Sequence, residues 1–142
     1  MHSPHLQEWI RSGRASPITR ELSAQFARYL DTLPWYPSKL NWSKMPASLK
    51  LNVSEAKSED IAAWARRTRL GRHSHLVVYY SEEVGGLVLP FEDAVVHLDE
   101  LYWMSPGVRF AFGADFENGA IKPAFDSLLQ YGDGDWLFAT AG

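Results

Sequence analysis

The side chains in this sequence able to do chemistry are few and scattered. His73 and His75 form an H-x-H pair, a spacing that projects two imidazoles from one face of a strand and binds zinc or another transition metal if a third ligand arrives from elsewhere. A downstream acid could complete such a site for metal-dependent hydrolysis, but the same pair at the entrance to a strand also reads as ordinary surface histidine. Carboxylates come in groups: Glu82-Glu83, Glu92-Asp93, Asp99-Glu100, and Asp115 with Glu117. Two such groups across a sugar serve glycoside hydrolysis, although the chain is short for a deep cleft. His97 has no G-x-S-x-G turn to pair with and reads as a strand residue facing solvent. The YGDGDW run at 131–136 lacks the order and terminal Glu of a calcium loop. No phosphate-cradling G-x-x-x-x-G-K and no G-x-G-x-x-G occurs. The sequence therefore assigns no catalytic residue, no metal ligand and no cofactor, and the reading is that of a non-enzyme.

Charge is divided along the chain. Residues 1–75 carry 12 Lys+Arg against 6 Asp+Glu, and residues 76–142 carry 2 against 11. This predicts either a dipolar molecule whose acidic face steers a basic partner, or charges that pair internally. The one concentrated basic stretch, Arg66, Arg67, Arg69 and Arg72, suits phosphate contacts, but it also complements a helix C-terminus, and the acidic half opposes broad engagement of a polyanion. Direct nucleic-acid binding is not expected. With no Cys there is no disulfide or thiol chemistry. The N-terminus has no secretory pattern, and no segment approaches the ~20 apolar residues of a membrane span, so a cytoplasmic protein without membrane contact is expected.

The elements that must position these groups follow from periodicity. Leu6, Trp9 and Ile10 suit a brief helix in a short N-terminal segment, residues 1–15, with a frayed end. Ser16 as N-cap and Pro17 at the first position open a helix with Ile18, Leu22, Phe26, Tyr29, Leu30 and Leu33 on one face. Three prolines make residues 33–46 a loop, pinned by Trp35, Tyr36 and Trp42 or displaying them. Leu49, Leu51 and Val53 alternate as a half-buried strand that opens the sheet. A helix from Ser58 uses Ile61, Trp64 and Ala65 and stops at Gly71. His75–Ser81 is the strongest strand and forms a hairpin with the LVLPF stretch. Residues 90–101 admit both a further strand after an acidic turn and a helix entered at Pro90; two adjacent valines favour the strand. Residues 107–115 alternate as a strand before an Asn-Gly turn, Pro123 to Tyr131 reads as a short helix, and Trp136–Thr140 as a closing strand. The sum is a single α+β domain over residues 1–142, a mainly antiparallel sheet of about five strands packed with two to three helices.

The run HSHLVVYYSEEVGGLVLPFEDAVVHLDELYW, roughly residues 73–103, resembles the sheet region of small bacterial immunity proteins, including those of contact-dependent inhibition systems. The resemblance implies a cytoplasmic inhibitor, monomer or homodimer, that binds a cognate protein toxin domain without catalysis, the toxin being a nuclease in some cases. It agrees with the surplus of Trp and Tyr and with the acidic half, which together would steer and anchor a basic partner. The expected binding face is Glu92, Asp93, Asp99, Glu100, Tyr102 and Trp103, extended by Asp115 and Glu117.

Overall fold

A strand as rich in β-branched and aromatic residues as HLVVYYS needs cover on both faces and a neighbour on each edge. In the computed structural model, which describes residues 4–35, 40–45, 47–104, 109–131 and 136–141, it has all four. The seven strands are β1 (Ser16–Pro17), β2 (Ser48–Asn52), β3 (His75–Ser81), β4 (Gly85–Pro90), β5 (Phe110–Glu117), β6 (Ala120–Tyr131) and β7 (Trp136–Thr140). They form one antiparallel sheet in the order β1-β4-β3-β5-β6-β7-β2. Among the described residues the fold is thus α+β as expected, with seven strands rather than about five.

Among the described residues five α-helices rather than two or three accompany the sheet: α1 (Pro4–Arg11), α2 (Arg20–Leu30), α3 (Ser58–Arg67), α4 (Phe91–Val96) and α5 (Leu98–Tyr102). Leu76, Val78 and Tyr80 of β3 face one way, into a core built with Leu6 and Trp9 of α1, Ile61 and Trp64 of α3, Phe91 and Val95 of α4 and Leu98 and Leu101 of α5. Val77 and Tyr79 face the other way, onto Leu22, Phe26 and Leu30 of α2 and onto Leu40 and Trp42. Burial on both faces removes the polar alternation that marks an ordinary antiparallel strand, leaving a continuous apolar run.

Four expectations are corrected. Ser16 and Pro17 do not start α2: they pair with Val88 and Leu87 as an edge strand, and Thr19 is the N-cap, its hydroxyl accepting from the Leu22 N–H at 3.1 Å. Residues 91–102 are helical, not a strand. Phe91, Ala94 and Val95 face the core, as do Leu98, Leu101 and Tyr102, while Val96 is 39% exposed, which is helical and not alternating burial. Residues 123–131 belong to β6 and form no helix. The β5–β6 register jumps from Phe112↔Leu128 to Gly113↔Ala124, so residues 125–127 bulge out and the sequence loses its period of two. Finally, β2 does not open the sheet; it ends it, with Leu49 37% exposed.

Other readings hold. Leu6 and Trp9 are buried and Ile10 packs beside them, so α1 is docked; residues 1–3 lie outside the described residues. Trp35 donates its indole N–H to the Leu30 carbonyl at 2.7 Å, and Trp42 stacks on Phe138, which is the pinning role; Tyr36 lies outside the described residues. Asn118 and Gly119, both at positive φ (55° and 79°), make the tight β5–β6 turn. One boundary differs: helix α3 does not run to Gly71 but ends at Arg67, and Gly71 sits in a separate 3₁₀ turn (Arg69–Arg72) where a Cβ would lie 2.1 Å from the Arg66 carbonyl oxygen.

Candidate functional site

Two clusters gather the chemistry-bearing side chains, at opposite ends of β5. The first is built where β5 and β6 part. Ala111 pairs with Leu129, so Arg109 and Tyr131 would face each other two steps on, but the Tyr102 hydroxyl stands between them. It donates to the Arg109 carbonyl at 2.5 Å and accepts from the Tyr131 N–H at 3.1 Å. Tyr102 is 2% exposed, and burial pushes its phenol pKa up, so it is a neutral O–H able to play both roles. Burial likewise raises Tyr131, followed by the nearby Asp99 charge.

On this foundation sits Trp103. Its ring lies 5.2 Å from Tyr102 and 5.3 Å from Tyr131, with the Arg109 guanidinium 4.3 Å over it. Its indole N–H donates to Asp99 Oδ1 at 3.1 Å. Despite four fixed neighbours Trp103 is 51% exposed, the most exposed of the large apolar side chains among the described residues. Glu100 and Val96 are exposed on the same pair of helices.

The second cluster lies where β3 begins. His73 Nδ1 and Asp115 Oδ2 are 2.7 Å apart, and His73 Nε2 and Ser127 Oγ 3.0 Å. With Asp115 ionised, Nδ1 carries the proton and donates, and Nε2 shares a hydrogen bond with the serine hydroxyl. The His73 hydrogen bond, then the Ser74 N–H at 2.9 Å, hold the Asp115 carboxyl below the usual carboxylate range. The connectivity is that of a nucleophile, base and orienting acid. Ser127, however, is 1% exposed, inside the β6 bulge, so no substrate carbonyl reaches its Oγ in this conformation. Gly113 leaves the room His73 occupies: a Cβ there would stand 2.5 Å from the ring. The trio works as a strut joining the 3₁₀ turn to β5 and β6.

Against the expected binding face, Asp99, Tyr102 and Trp103 are brought together, with Glu100 beside them. The other acids are engaged within the chain. Glu92 takes three hydrogen bonds from Arg66, the shortest 2.7 Å, which lower its pKa. Asp93 pairs with Arg14 at 2.9 Å, and Glu117 with Lys122 at 2.9 Å. Asp115 and Glu117 also lie along β5 from Arg109, about 20 and 26 Å at ~3.3 Å per residue, and so do not extend the face around Trp103. Tyr102 is the foundation of the face and does not itself offer contact.

Compared with protein-family models, curated proteins and solved structures, the chain matches none. Its own geometry must carry the functional reading.

That geometry bears on the alternatives. His73 and His75 do not share a ligand: His73 is held by Asp115 and Ser127, while His75 packs edge-on against Phe116 at 4.4 Å and bonds Ser74. Among the described residues no three His, Asp or Glu side chains converge as a metal site. Of the four arginines, Arg66 is bound by Glu92 and Arg69 by Asp126, at 2.8 Å. These pairs, with Arg14–Asp93, join the basic half to the acidic half, so part of the charge division is cancelled internally. His97 is no strand residue: it separates α4 from α5, its ring edge-on to Trp9 at 5.4 Å. No helix of the described residues is long and apolar enough to cross a membrane.

Sequence reasoning passed over Arg109, Tyr131 and Ser127. A signal existed for Arg109, one of only two basic residues in the acidic half. Nothing local marks Ser127, whose partners are 54 residues away in the case of His73.

Proposed function

We propose that this protein is a non-catalytic inhibitor that binds a cognate toxin domain, docking it on the exposed ring of Trp103 and the acids beside it. One observation carries the reading: Trp103 is half in solvent yet its ring is held by four neighbours, Asp99, Arg109, Tyr102 and Tyr131. An aromatic side chain already immobilised loses little conformational freedom on binding, and tryptophan, tyrosine and arginine dominate the energetics of interfaces. Glu100 and Asp99 give the rim a negative sign that favours a basic partner and raises its association rate. The resemblance of residues 73–103 to immunity proteins supports the toxin as the class of partner.

The reading is tested with the C-terminal domain of the polypeptide encoded immediately upstream of this protein's gene. In calorimetry, Trp103→Ala is expected to weaken binding by about 30-fold, the ~2 kcal/mol of an interface hot spot. Glu100→Lys is expected to slow association and flatten its dependence on salt. Wild-type affinity in both variants would refute this face, and failure of the wild-type protein to bind that domain or to protect cells expressing it would refute the inhibitor.

A further inference from the structure

The two edges of the sheet are treated differently. On one side β1 is two residues long and ends in Pro17, which has no N–H, so it cannot template another strand. On the other, β2 runs five residues in unbroken register with β7, contains no proline, and is exposed or half-exposed throughout.

Its free groups can be assigned. The Ala141 N–H donates to the Ala47 carbonyl at 3.2 Å, and these residues continue the β2–β7 register by one step. In an antiparallel ladder, bonded and non-bonded pairs alternate. Ala47, Leu49 and Leu51 therefore direct their main-chain groups to β7, and Ser48, Lys50 and Asn52 direct theirs outward.

Side-chain room lies on both faces of this edge. A groove of about 420 Å³ on the Lys50 face is lined by Leu40, Trp42, Phe138, Ser48 and Lys50. On the other face lies a shallow, open depression bordered by Leu51, Asn52, Ala56, Glu55 and Asp60. An added strand sends alternate side chains to opposite faces, which is the arrangement the groove and the depression accept.

We infer that β2 is a second docking site, which takes an extended segment of another protein as an eighth strand. The segment carries Asp or Glu opposite Lys50, an apolar side chain next along that face for the Trp42–Phe138 groove, and a basic residue on the alternate face toward Glu55. A second copy of this chain does not meet these terms. Ser-Leu-Lys-Leu-Asn has no acid, and an antiparallel register that joins the outward groups places its lysine on the face that already holds Lys50, so a centred pairing sets lysine against lysine. The inference is independent of what docks on Trp103.

The test is a displayed library of random segments, about seven residues long, selected on the folded protein. Enriched segments are expected to alternate, with an acid at the centre and apolar neighbours on its face. Bound, they should slow amide exchange at Ser48, Lys50 and Asn52, and Trp103→Ala should leave their affinity unchanged. Lys50→Pro should abolish binding. Lys50→Glu, which leaves the edge intact, should invert the central preference, with a Lys segment about fivefold tighter than its Glu counterpart. No enrichment, enrichment that Lys50→Glu leaves unaltered, or a dimer in free solution that Lys50→Glu alters would each overturn the inference, the last by assigning the edge to a second copy.

Discussion

Replacing Tyr102 by Phe removes one oxygen and leaves the ring packing in place. That oxygen bridges the Arg109 carbonyl and the Tyr131 N–H where β5 and β6 have separated too far to bond directly. Its loss removes both hydrogen bonds at a partly buried seam. A hydrogen bond contributes roughly 0.5–1.5 kcal/mol net, so two imply about 2 kcal/mol. For a chain of this length that corresponds to a fall in Tm of about 7 °C. Tyr80→Phe is the internal standard: the Tyr80 hydroxyl, also buried, donates to a single acceptor, the Leu101 carbonyl, and its removal should cost about half as much. Urea denaturation of the two variants measures both, and an m-value equal to that of the wild type would confirm that only the native state has changed. A loss below ~0.5 kcal/mol for Tyr102→Phe, or one no larger than that of Tyr80→Phe, would mean that water or a relaxed strand end fills the gap and that Tyr102 does not join the two strands.

Other outcomes follow from the same structure. Gly113→Ala drives a methyl group into the His73 ring and should destabilise by about 2 kcal/mol in thermal unfolding, with the His73 ring resonances displaced. Asp115 has a folded-state pKa below its unfolded value, so its contribution is complete above about pH 4 and disappears as pH falls through the depressed value. Asp115→Asn should therefore flatten the acid limb of a stability profile while leaving a constant loss at neutral pH. Trp103→Ala, whose ring is half exposed, should lower stability by less than ~1 kcal/mol, so its binding defect would not be one of folding.

The strands were legible where one local pattern sufficed. Five consecutive apolar or aromatic side chains at 76–80 marked β3, and Glu117-Asn118-Gly119 marked the turn after β5, although not the strand β6 that follows it. Residues 91–102 were misread because Val95 and Val96 suggested a strand, whereas the spacing Phe91, Ala94, Val95, Leu98, Leu101, Tyr102 is helical and tertiary burial overrode the valines' preference. Residues 123–131 were misread because Phe125, Asp126 and Ser127 sit in a bulge. Each has its own tertiary partner there: Tyr29, Arg69 and His73. Of the cluster around Trp103, Asp99, Tyr102 and Trp103 could be picked out by type and proximity. Arg109 and Tyr131 could not, because only strand pairing sets them beside Tyr102.

The order of the strands also bears on synthesis. Strand β2 leaves the ribosome at residues 48–52, while its one neighbour, β7, follows at 136–140. During the interval the same five residues are unpaired on both sides, and the sheet cannot close until the loop between them is traversed, a slow long-range step. A nascent chain in this state offers two open edges instead of one. Lys50, the single charge on that strand, is of the residue type that blunts an exposed edge against pairing with other chains.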